Sequence, residues 1–253
     1  MKNNYYGLLA LLGIIGIMVG FFTKLNYILF IGFVLIAIGF VIFAFRRLSY
    51  NIRSKSAIKK FIQKFPQSDF AVVEDFANNY GQIPFDKINC LAVPNPSIKI
   101  FQNKYPVRMG FNKFTMENQI GFLMQINNLA GYHHILEKTT VGGIAKGTVE
   151  FFTESKSLEV KSDISEIDGN FILLSNNGVE CKKIVSKIYS ELMELQNVFK
   201  KMDFVVSVDN IATNFDIQAK NNSFLFRIIY PAGFLIEDLY PILVSIQKKL
   251  SLS

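Results

Sequence analysis

Two long apolar runs stand at the head of the chain. Between Tyr5 and Phe45 only Lys24 is charged; the runs on either side read "GLLALLGIIGIMVGFF" (Gly7–Phe22) and "LNYILFIGFVLIAIGFVIFAF" (Leu25–Phe45). About 20 apolar residues at 1.5 Å each cross the roughly 30 Å of hydrocarbon in a bilayer. The second run reaches that length, and the first does so with Tyr5 and Tyr6 as an interfacial aromatic pair. The pattern therefore predicts two transmembrane helices, about 5–22 and 25–45, joined at Thr23-Lys24 into an antiparallel hairpin. No small-residue cleavage site follows the first run, so it is expected to be retained. Gly13, Gly16 and Gly20 on the first helix, and Gly32 and Gly39 on the second, are places where two backbones can approach. Neither run has an ionisable residue in its interior, which suits an anchor better than a transport path.

The period then changes. Ile58, Phe61, Ile62 and Phe65 fall at i, i+3, i+4 and i+7, with lysines between them. This predicts a basic amphipathic juxtamembrane helix over 46–66, with Ser54 or Ser56 as N-cap and Pro66 as its stop. Its apolar stripe has two alternative destinations, the lipid headgroup layer or the domain that follows.

Residues 67–253 read as an α+β domain, with antiparallel sheet covered by helices. Ser68 is expected to cap a helix over "DFAVVEDFANNY", and Thr115 another over "MENQIGFLMQINNLA", closed by Gly131. A short strand is expected at Ile98–Phe101 in a proline-broken stretch. Then "GTVEFFTES", "SLEVKSDI" and "NFILLSN" read as strands, and "VECKKIVSKIYSELMELQNVFKKM" as one helix packed on a sheet. A three-strand meander follows, "FVVSV", "IATNFDIQA" and "SFLFRIIYP". Its middle strand alternates Phe215, Ile217 and Ala219 with Asp216, Gln218 and Lys220, one face buried and one wet. A last helix is expected from about Leu235 to Leu250, with Pro241 tolerable if it lies in the first turn. The strand-strand-strand-helix order thus occurs twice, at about 147–202 and 204–250. The pattern leaves open whether 67–253 is one domain or two subdomains, 67–146 and 147–253. A fragment starting near Ser68 is expected to fold alone.

Charge changes the picture by its distribution. Residues 1–65 hold nine Lys/Arg and no acid, whereas residues 66–253 hold eighteen Lys/Arg and twenty Asp/Glu, a net of −2. Seven of the nine, Arg46, Arg47, Arg53, Lys55, Lys59, Lys60 and Lys64, follow the second apolar run. Positive charge is retained on the cytoplasmic side, so both termini are expected there, with Lys24 outside, in a two-span protein of the cell membrane. The same seven are expected to meet anionic lipid headgroups. A domain without net positive charge argues against nucleic acid as partner.

Chemistry is sparse. His133 and His134, the only histidines, stand in "GYHHILEK" with Glu137 close by. A His-x-x-Glu pair on a helix would share one face, as carboxylate metal sites require, yet two further ligands have no candidates. The ordinary alternative is a pair of exposed histidines beyond a helix end. "VGGIAKGT" lacks the order of a phosphate loop around Lys146. Ile164 breaks a calcium-loop reading of Asp163, Glu166 and Asp168, which suits a solvated hairpin connection. Cys90 and Cys181 form no zinc spacing, and are expected as two reduced thiols or one disulfide. No cofactor or metal is expected, and no nucleophile is signposted. The expected function is a membrane-anchored interaction or ligand-binding protein. The alternative is a membrane-bound enzyme acting near the lipid surface, with His133, His134 and Glu137 as candidates.

Overall fold

The computed structural model describes residues 5–65, 89–95, 98–108, 114–138, 158–200, 215–220 and 222–251. The chain forms two compact units, Met1–Arg53 and Ser54–Ser253. The helix expected from Ser68, the strands expected at 147–155 and 204–208, and the turn around Lys146 lie outside the described residues.

In the first unit, α1 (Tyr5–Thr23) is followed by α2 (Asn26–Gln63), with Lys24 at φ 57° between them. A left-handed residue there lets the chain reverse in one step, and Leu25 N–H donates to the Gly20 carbonyl at 3.1 Å. The two helices touch where side chains are missing. A Cβ on Gly13 would lie 2.6 Å from Ile36 Cγ1, and one on Gly32 would lie 2.8 Å from the Gly13 carbonyl oxygen. By length and composition α2 is apolar enough to cross a membrane; the apolar part of α1, Leu8–Thr23, is shorter.

Two separate helices, 25–45 and 46–66, were the expectation for what is one helix of 38 residues, about 57 Å at 1.5 Å per residue. No glycine or proline interrupts Phe40–Phe65, so nothing in the sequence breaks it. Ser54 therefore caps nothing. Its hydroxyl donates to the Pro231 carbonyl at 2.8 Å and accepts Phe234 N–H at 3.1 Å.

The last turns of α2, from Ser54, belong to the second unit and settle where the apolar stripe goes. Ile58 and Phe61 are buried, and the Phe61 ring lies 5.3 Å from that of Tyr240. A Cβ on Gly233 would meet Ile58 Cδ1 at 2.8 Å. The stripe docks on the domain, and burying each of these side chains contributes about 1.5–3 kcal/mol. Ser54, Ile58 and Phe61 are part of the domain core, so a fragment from Ser68 would lack them.

The remaining elements are β1 (Asn89–Asn95), β2 (Ile98–Arg108), β3 (Phe114–Gln125), β4 (Tyr132–Glu137), β5 (Leu158–Val160), α3 (Ser165–Asn170), β6 (Phe171–Ser175), α4 (Gly178–Lys187), α5 (Tyr189–Phe199), β7 (Phe215–Lys220), β8 (Ser223–Ile229), a 3-10 turn (Tyr230–Leu235) and α6 (Ile236–Ser251). The eight strands form one sheet in the order β1-β2-β3-β8-β7-β4-β6-β5, and every pair is antiparallel. Strands from 67–146 and 147–253 share this sheet, because β8 and β7 stand between β3 and β4.

One register row crosses seven strands: Ile100, Phe122, Phe226, Ile217, Ile135, Leu173 and Val160. Helices cover this face. The Phe199 ring of α5 lies 4.9 Å from that of Phe215, and a Cβ on Gly233 would lie 2.7 Å from Ile120 Cδ1. The opposite face is buried as well, at Phe101, Leu225, Leu136 and Leu174. On the face expected to be wet in the last meander, Gln218 is half-buried and its neighbours Leu225 and Arg227 are buried.

Burial on both faces explains the main misreading. "MENQIGFLMQ" was expected to be helical, but it is most of β3. Phe122, Leu123 and Met124 are consecutive and all buried, a run in which strand alternation disappears. Gly121 confirms the tight sheet, since its Cβ would lie 2.1 Å from the Phe101 ring across the register. The β2 strand also exceeds its expected length. Pro106 fits because, among the described residues, it lies beyond the pairing with β1. The long helix after Gly178 breaks once, at Ile188 (φ −106°, ψ 18°). Pro241 lies in the second turn of α6 rather than the first, with Glu237 and Pro241 both at exposed positions.

Candidate functional site

His133, His134 and Glu137 all lie on β4, and all are buried. They are neither on a helix nor exposed beyond one, which corrects both expectations. Strand alternation puts His133 and Glu137 on the helix-covered face and His134 on the other. The three therefore do not converge, and among the described residues no cluster of His, Cys, Asp or Glu has metal-holding geometry.

His133 is instead the centre of a closed polar network. Gly131, at φ 93°, turns the chain into β4, and the Ala130 carbonyl lies 2.9 Å from His133 Nε2. A carbonyl only accepts, so Nε2 carries the proton and Nδ1 accepts. The partner of Nδ1 is the Ser175 hydroxyl, 2.9 Å away, which therefore donates to it. Ser175 Oγ accepts in turn from Asn177 N–H at 2.8 Å and is hydrogen-bonded to the Cys181 thiol. Burial pulls His133 below its ordinary value, against the opposing pull of the Ala130 carbonyl and the Glu180 charge. Burial also pushes Cys181 up to about 11, with Ser175 acting against it. At neutral pH this leaves a neutral imidazole and a protonated, free, buried thiol. A Cys–Ser–His contact of this kind holds β4, β6 and α4 together, but supplies no activated nucleophile.

On the opposite face lies a second polar group. His134 pairs in register with Gln218, and Arg227 stands between Gly121 and Asp216. His134 and Arg227 are buried and Gln218 is half-buried, so polar side chains from β4, β7 and β8 share a band in the middle of an apolar sheet. Sequence reasoning missed Arg227. Its signal was one cation inside the apolar run "SFLFRIIY", where an exposed strand would alternate.

Six of the seven basic residues of the juxtamembrane stretch lie on α2, and Lys64 stands in the turn just past its end. Arg53, Lys55, Lys59, Lys60 and Lys64 are exposed, and Arg46 and Arg47 are half-buried. Lys64 pairs with Glu237 at 2.7 Å, and Arg53 stacks over the Tyr50 ring at 5.7 Å. The acidic connection before β6 is held by side chains: Asp168 Oδ1 accepts Ser162 N–H at 2.8 Å, and Lys182 meets Asp163 at 2.5 Å. No protein-family model, no curated protein and no solved structure matches the chain.

Proposed function

We propose that the chain is a membrane-anchored interaction protein, with its α+β domain held at the inner membrane surface. In this reading α1 and the apolar part of α2 cross the bilayer as a hairpin and both termini are cytoplasmic. The exposed basic side chains of α2 then attract anionic headgroups by charge, because the apolar stripe beside them is occupied by the domain.

One observation supports this reading above the rest. Among the described residues, every exposed large apolar side chain except Leu158 and Val179 lies between Leu8 and Ile52. Phe22 is 79 % exposed and Phe21 74 %, values that water penalises and hydrocarbon does not. The acid-free charge distribution sets the direction of insertion.

Single cysteines test the topology, in a background with Cys90 and Cys181 replaced by alanine. A membrane-impermeant maleimide is expected to label Lys24→Cys in intact cells, and Ser56→Cys only after permeabilisation. The opposite pattern, or equal labelling of both, refutes the proposed topology.

A further inference from the structure

The geometry points to a binding site for a small organic anion, a carboxylate or phosphate joined to a compact apolar body, in a cleft between the β3–β4 loop and α4. The cleft measures about 260 Å³. Its floor is apolar: Ile126, Leu129, Ile184 and Leu250 line it and are all buried. Its rim is polar and carries Asn127, Asn128, Glu180, Lys183 and Lys187.

Charge selects the ligand. Two lysines against one glutamate leave the rim a net single positive charge, in a region whose overall balance is negative. Lys183 lies 3.7 Å from Glu180, whereas Lys187 has no ion pair among the described residues. Lys183 and Lys187 are four residues apart on α4, so their ammonium groups stand on one side of the opening. Asn127 and Asn128 line the cleft from the loop side. An anionic head at the rim and an apolar body on the floor satisfy both layers.

The loop is held in shape by the protein itself. Asn222 accepts Leu129 N–H at 3.0 Å through its side chain and Ile126 N–H at 2.8 Å through its carbonyl. Asn128 sits at φ 60°, a turn conformation that asparagine tolerates. Walls fixed in advance reduce the ordering cost of binding.

This site deepens the interaction reading by naming a ligand class, but it rests on the domain alone. Cysteine labelling tests the anchor separately, so either can fail while the other stands. The test uses the full chain in detergent, with benzoate as probe, benzamide as its neutral counterpart and inorganic phosphate as competitor. Saturable benzoate binding is expected by ligand-observed NMR, with Kd about 10 mM or tighter. Benzamide is expected to bind at least about fivefold more weakly, phosphate to compete, and added salt to weaken binding. The double variant Lys183→Gln/Lys187→Gln is expected to lose about tenfold or more in affinity with unchanged thermal unfolding, since both side chains are at the surface. Absence of saturable benzoate binding overturns the site. So does equal binding of benzamide, failure of phosphate to compete, or full affinity in the double variant.

Discussion

The two ends of α2 are one helix and present opposite surfaces. Around Phe30, Phe33 and Phe40 the apolar side chains point outward and Gly32 is kept for contact with α1. From Ser54 onward the apolar side chains turn inward and the lysines are outside. Helical propensity does not distinguish these halves; the medium each is proposed to face does. In hydrocarbon a helix gains little by hiding leucine and packs through backbone approach. In water it is stabilised by burying a stripe, here Ile58 and Phe61 against the 3-10 turn and α6.

The comparison breaks most visibly at Phe61. Phe61→Ala should cost the domain about 3–5 kcal/mol through lost burial and a cavity. That is on the order of 10 °C in thermal unfolding for a domain of this size. A loss near zero would mean that the last turns of α2 are not part of the core. Gly13→Leu is the matching change at the other end. It should disturb the α1–α2 contact by about 1–3 kcal/mol, seen as faster proteolysis near Lys24, while domain unfolding stays where it was.

A graded effect is expected from His133. Its folded pKa lies below the ordinary 6.5, so between those two values the unfolded chain binds a proton that the folded chain does not. The stability it contributes is fully present above about pH 6.5 and falls as pH drops through 6.5 towards the folded value. Thermal unfolding followed from pH 8 to pH 5 should show that decline, and His133→Asn should flatten it. The smallest change belongs to Lys64→Ala. Its pair with Glu237 is solvent-exposed on both sides, so the loss should be under about 1 kcal/mol by urea titration.

How far the sequence could be read followed from how one-sided each segment is. Ile58, Phe61 and Phe65 announced an amphipathic helix because one side of it faces water. Phe215, Ile217 and Ala219 announced β7 by alternation. The same rule failed at β3 and β4, where both sheet faces are buried and "GFLM" and "HHIL" carry no alternation. The histidine expectation failed with it, since a His-x-x-Glu spacing means one face on a helix and two on a strand. Ser175 and Cys181, six residues apart, become partners of His133 only through pairing between β4 and β6 and the docking of α4. No local pattern encodes such a contact. The join within α2 was hidden for a different reason: a change from apolar to basic composition looked like a boundary between two helices.

The two-faced character of α2 is tested most directly by spin labels at Phe33 and Lys59, with the full chain reconstituted in phospholipid vesicles. The label at 33 should collide readily with dissolved oxygen and be shielded from a water-soluble nickel complex, and the label at 59 should show the reverse. Nickel accessibility at 33 equal to that at 59 would contradict the account.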